Sequence, residues 1–133
     1  MAQTVVLEEA HIEDSMQAEQ RAYKESAVME VPDVAGWLLN TVGQRITAVG
    51  VGLSDARPVR GWIEGKTIRD ENEERLRLLY RVARTIALVY GDRTARSFLR
   101  SSSPYLNDTA PVVAIANGDE RSALEALRAF LEG

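Results

Sequence analysis

Apolar positions along this chain recur at helical spacing, and no segment reads as a strand, so the pattern predicts an all-α protein. The clearest segment is Asp70–Tyr90. Leu76, Leu79, Tyr80, Ala83, Ile86, Ala87 and Tyr90 recur along it, and Asp70, Glu71, Glu73 and Glu74 sit at its start, where the helix dipole favours acids. Gly91 stops this helix, and Asp92 reads as the cap of the next, with Ala95, Phe98 and Leu99 facing inward. Ser101, Ser102, Ser103 and Pro104 break that helix. A turn follows at residues 106–109, and Pro111 opens a short helix through Ile115. Gly118 and Asp119 end it and cap a last helix, in which Ala123, Leu124, Leu127 and Leu131 make a stripe with Phe130 beside it.

The first half is less regular. Residues 8–28 are rich in Glu, Gln and Ala, and Leu7, Ile12, Met16 and Tyr23 form only a weak stripe. This predicts a helix that is marginal or dependent on a partner. Pro32 marks a boundary. From Asp33, the residues Val34, Trp37, Leu38, Val42 and Ile46 give a helical face with Thr41 as its polar exception. Ile46, Val49, Val51 and Leu53 follow, and Gly43, Gly50 and Gly52 cut the stretch into short helices with tight turns. Ser54 and Asp55 are cap candidates, Pro58 suits a first turn, and Val59, Trp62 and Ile63 form the next apolar face. Gly65 reads as a left-handed cap. Three parts are expected: an acidic, weakly helical arm over residues 1–30, a helix-turn-helix domain over 31–90, and a small C-terminal helical domain over 91–133.

Composition narrows the chemistry. The chain has 133 residues, 45% of them apolar and 27% charged, which suits a folded protein with a modest core. There is no cysteine and a single histidine, which excludes disulfides, thiolate nucleophiles and a multi-histidine metal site within one chain. No apolar run approaches the length of a membrane span, and the first residues lack the basic and apolar regions of a signal peptide, so a cytoplasmic protein is expected. Charge is uneven. Residues 1–43 are net −6, residues 44–100 net +5 and residues 101–133 net −3, with Lys66 the only lysine of the basic segment. Arginine suits phosphates and guanine edges, although a solvated helix with ordinary ion pairs has the same composition.

Residues 44–65 hold the most informative constellation. Ala48 supplies a small residue where a second helix would cross the first. Gly52 supplies the turn, and Val59 and Trp62 supply inner anchors. That is helix-turn-helix spacing, one residue longer than its tightest form; an αα-hairpin with a surface arginine pair fits it as well. On the outward face come Asp55, Ala56, Arg57, Arg60 and Gly61, and Arg57 and Arg60, three apart, can point into one groove. Ser54, Asp55, Arg57 and Arg60 are candidate DNA contacts, with Lys66 and Arg69 on phosphates. Other residues take simpler readings. His11 is a surface histidine, Glu73 and Glu74 are helix-start charges, and Ser101 to Ser103 are turn residues with no base nearby in sequence. Trp37 and Trp62 read as core anchors, and Gly50-Val51-Gly52 is no dinucleotide loop because no strand precedes it. The Leu124, Leu127, Leu131 stripe suits core more than interface. No catalytic, cofactor or metal residue emerges, and an enzyme is not expected.

From about Val34 onward the chain resembles the Xre/MbcA/ParS-like antitoxins. The matching features are residues 59–65 (Val-Arg-Gly-Trp-Ile-Glu-Gly), the long helix over 73–90, and Ala95-Arg-Ser-Phe-Leu99. Downstream come Ser103-Pro-Tyr-Leu-Asn-Asp-Thr-Ala-Pro111 and Ala116-Asn-Gly-Asp119 before a final helix. Phe98 stands where that family often has tryptophan, the acidic start is longer than usual, and the chain has little tail after the last helix. The resemblance implies a non-catalytic homodimer that binds double-stranded operator DNA and whose C-terminal part grips a RES-domain, NAD-consuming toxin. Tyr105, Leu106, Asn107, Leu127, Phe130 and Leu131 are the expected partner-binding residues. The alternative is an interaction module for which neutralising such a toxin is the main task. The acidic arm is left with three options: folding on the dimer, shielding the DNA face, or staying mobile.

Overall fold

The computed structural model describes residues 2–133, with side chains at residue 11 and from residue 14 onward. Among the described residues it is all-helical: α1 (Ala2–Val28), α2 (Val31–Thr41), α3 (Gln44–Val51), α4 (Arg57–Ile63), α5 (Asp70–Tyr90), α6 (Asp92–Arg100), α7 (Pro111–Ala116) and α8 (Glu120–Glu132), with a 3-10 turn at Pro104–Leu106. No helix among them is long and apolar enough to cross a membrane.

The centre is α5. Leu76, Leu79, Tyr80, Ala83 and Ile86 are buried as their spacing predicts, but so are Leu78, Val82 and Thr85. A helix buried on more than one side must have neighbours on more than one side. Accordingly α1, α2, α3, α6, α7 and α8 all pack on α5. Tyr90, read as part of the stripe, is exposed at the end of the helix. Thr85, wholly buried, satisfies its hydroxyl by donating to the Arg81 carbonyl at 2.7 Å.

The expected arm is a docked helix. Antiparallel to α5, α1 buries Ser15, Ala18, Ala22 and Ser26. Met16 and Tyr23, members of the weak stripe, are exposed, while Leu7 and Ile12 lie outside the described side chains. The buried face is made of small residues, so close approach replaces bulk. Charge completes the contact. The Glu25 Oε1 accepts from Arg84 Nε and Tyr80 Oη, each at 2.9 Å. Arg77 donates to the Ser26 and Met29 carbonyls at 2.9 and 2.7 Å, and to Glu73 at 2.8 Å. Burial raises the Glu25 carboxyl, but hydrogen bonds from Arg84, Tyr80 and Arg21 together hold it below its ordinary value of 4.5. Burial, then the Glu25 hydrogen bond and charge, push the Tyr80 phenol up to about 12. His11, read as a surface residue, is half-buried; its Nε2 meets the Leu131 carbonyl at 3.1 Å and the Tyr90 hydroxyl at 2.9 Å.

The expected division near residue 90 does not appear as two cores. One buried apolar cluster runs from Val34 through Leu76, Leu79 and Ile86 to Leu131. Gly91 joins α5 to α6 without a linker, and it rather than Asp92 is the cap position of α6. Asp119 caps α8 as read, accepting from the Ser122 N–H at 3.2 Å. Gly50, read as a helix breaker, lies inside α3. A Cβ there would sit 2.9 Å from Leu79 Cδ2 and 3.3 Å from Val112 Cγ2, so the glycine lets α3 close onto α5 and α7.

Candidate nucleic-acid interface

The turn after α3 is built as its sequence requires. Gly52 is left-handed at φ +83, and the Gly52 and Leu53 N–H groups donate to the Val49 and Ala48 carbonyls. After α4, Gly65 repeats the device at φ +93, with Lys66 N–H on the Gly61 carbonyl. Pro58 falls in the first turn of α4 as expected, but Ser54 caps nothing. Instead Asp55 Oδ1 accepts from the Arg57 N–H at 2.8 Å, and the cap position is Ala56. Val59 and Trp62 are buried, each burial worth about 1.5–3 kcal/mol. They fix which face of α4 turns outward. Ala48 is buried as well, yet α4 packs chiefly on α2, while α3 makes its larger contacts with α7 and α5.

The six candidate DNA contacts, Ser54, Asp55, Arg57, Arg60, Lys66 and Arg69, are all exposed. They do not share one groove. Asp55, Arg57 and Lys66 line a shallow groove of about 480 Å³ with Pro58, Gly61, Trp62 and Thr67. Arg60 turns instead toward α3, donating to Gln44 Oε1 at 3.2 Å. Gly61, expected on the outward face, is buried because the Lys66 stem lies over it; a Cβ there would meet Lys66 Cδ at 3.0 Å. Arg57 is 89% exposed and held in a fork on Asp55, Nε to Oδ1 and Nη2 to Oδ2 at 3.1 Å each. The hydrogen bonds and charge of this pair hold the Asp55 carboxyl below its ordinary value and raise the Arg57 guanidinium. Spacing did not indicate Gln44 as a partner of Arg60, since the two meet only once α3 and α4 are folded.

The expected partner-binding residues divide. Leu127 is fully buried and Leu106 and Leu131 nearly so, because they complete the common core; none of the three offers a surface. Tyr105 (68% exposed), Asn107 and Phe130 are exposed. Tyr105 and Phe130, with Phe98, Pro104 and Pro111, line a groove of about 290 Å³ between α6, the 3-10 turn and α8. Phe130 stacks on both Phe98 and Tyr90, with ring centres 4.9 and 5.7 Å apart.

No known protein family, curated protein or solved structure matches the chain.

Proposed function

We propose that this chain is a non-catalytic DNA-binding regulator of the helix-turn-helix kind, acting in the cytoplasm as a homodimer on double-stranded operator DNA. The observation that carries the reading is the division of α4. Val59 and Trp62 lock one face into the core, and Arg57 and Arg60 are left exposed on the other, flanked by Lys66 and Arg69. A rigid, outward, arginine-bearing helix suits a major groove. Asp55 holds Arg57 in a fixed fork, which favours reading a base edge over a diffuse phosphate contact, since a nearby carboxylate repels phosphate. Arg60 and Gln44 present a second polar pair from adjoining helices.

The test is duplex binding by the Arg57→Ala variant. A cost of about 1–3 kcal/mol with relaxed preference at one base pair is expected, against unchanged affinity and preference if Arg57 reads nothing. A second reading, neutralisation of a RES-type toxin, is favoured by the exposed Tyr105 and Phe130 around their groove. Co-expression with a candidate toxin tests it: continued killing by the toxin ends that reading.

A further inference from the structure

An open cleft of about 360 Å³ lies between α1, α5 and the start of α8, and it shares no lining residue with the groove of α4. Its lining includes Tyr23 of α1, Glu74, Arg75 and Arg81 of α5, and Gly118 and Glu120 at the start of α8. Arg77, Arg81 and Arg84 of α5 all approach α1, and they differ in how they are satisfied. Arg77 and Arg84 make hydrogen bonds of 2.7–2.9 Å. Arg81 does not. Its side chain is only 15% exposed, and its Nε is buried with no hydrogen-bond partner among the described residues. Its Nη2 and Nη1 stand 3.9 Å from Glu19 and 3.7 Å from Glu120, and its guanidinium lies 4.7 Å over the Tyr23 ring. A largely desolvated guanidinium normally completes its fork on a carboxylate or phosphate.

We propose that this cleft binds a small zwitterion of the α-amino acid class. The carboxylate takes the Nη1 and Nη2 groups of Arg81, which no carboxylate of the described residues approaches closer than 3.7 Å, and the charge of Arg75. The ammonium faces the exposed carboxylates Glu74 and Glu120, and the side chain lies along Tyr23 and Leu78. The mixed lining selects for both charges. A dianion meets the rim glutamates, and a dication meets Arg81. The site also has a path to α4. A Cβ on Gly52 would stand 3.5 Å from Arg75 Nη1 and 3.6 Å from the Ala116 carbonyl, so Arg75 reaches from the cleft to the turn that leads into α4. An effect on DNA affinity rests on the proposed regulator function; binding in the cleft does not.

The experiment is an NMR titration of the full chain with L-leucine, L-glutamate and L-arginine in turn, following the Arg81 Nε–H and the Gly118 amide. The best of the three is then compared with its amide, which lacks the carboxylate, and its keto acid, which lacks the ammonium. Saturable shifts with at least one amino acid are expected, with both analogues at least tenfold weaker. Arg81→Met weakens binding at least tenfold; should it fold poorly, Glu74→Gln on the exposed rim weakens the amino acid but not the keto acid. No saturable shift with any of the three overturns the proposal, as does a keto acid that binds equally well. Bound amino acid is expected to change affinity for a selected duplex at least fivefold. Binding in the cleft with unchanged DNA affinity would overturn the link to α4 and leave the site standing.

Discussion

Asp55 and Glu25 show how differently two carboxylates beside arginine act. Asp55 lies on the surface, where an ion pair contributes little to stability, so its effect is on the direction and charge of Arg57. Asp55→Ala is expected to tighten binding to random duplex and to reduce discrimination among sequences, read as the ratio of affinities for selected and random DNA. Glu25 is three-quarters covered and ties α1 to α5. Its folded carboxyl is held low, so the stabilisation is present above pH 4.5 and is lost as pH falls through its folded value. Tyr80 runs the other way: raised to about 12, it contributes stability below pH 10 that is lost as pH rises through that value. Glu25→Gln should cost about 1.5–3 kcal/mol at neutral pH and flatten the fall of Tm below pH 4.5. An unchanged acid slope would show that Glu25 does not hold α1.

At the scale of elements, α3 owes its position to Gly50. Gly50→Val places new atoms against Leu79 and Val112 and should destabilise by about 1–3 kcal/mol in denaturant melts, more than any gain in helix propensity. A neutral outcome would mean that α3 can move off α5. The helices with large apolar side chains at regular spacing, α5, α6 and α8, were legible in the sequence, because bulk at that spacing leaves few alternatives. The docking of α1 was not legible. Its buried face is Ser15, Ala18, Ala22 and Ser26, which carry little hydropathy signal, and its partners Tyr80 and Arg84 lie more than fifty residues away. The outward turn of Arg57 and Arg60 was legible from Val59 and Trp62, but the burial of Gly61 under the Lys66 stem was not. The separation of Arg57 from Arg60 was not, because it depends on Asp55 and on the folded position of Gln44.

For the whole molecule, charge segregation along the chain becomes charge pairing in space. The acids of α1 meet the arginines of α5, and Glu19 also pairs with Arg128 of α8 at 2.9 Å. Part of the central basic excess is therefore internal, and the outward part is carried by Arg57, Arg60, Lys66 and Arg69 around α4 together with Arg45, Arg93 and Arg100 on α3 and α6. With one core spanning Val34 to Leu131, unfolding should be a single transition. Coincident denaturant midpoints from tryptophan fluorescence, which reports Trp37 and Trp62, and from far-UV circular dichroism are expected. Two separated midpoints would restore the division near residue 90. Whether α4 reads DNA is decided by selection from a random duplex pool followed by a salt titration on the winner. A palindromic site is expected, with an affinity that falls steeply with salt and depends on Arg57. Absence of enrichment, or an enriched site indifferent to Arg57→Ala, would contradict it.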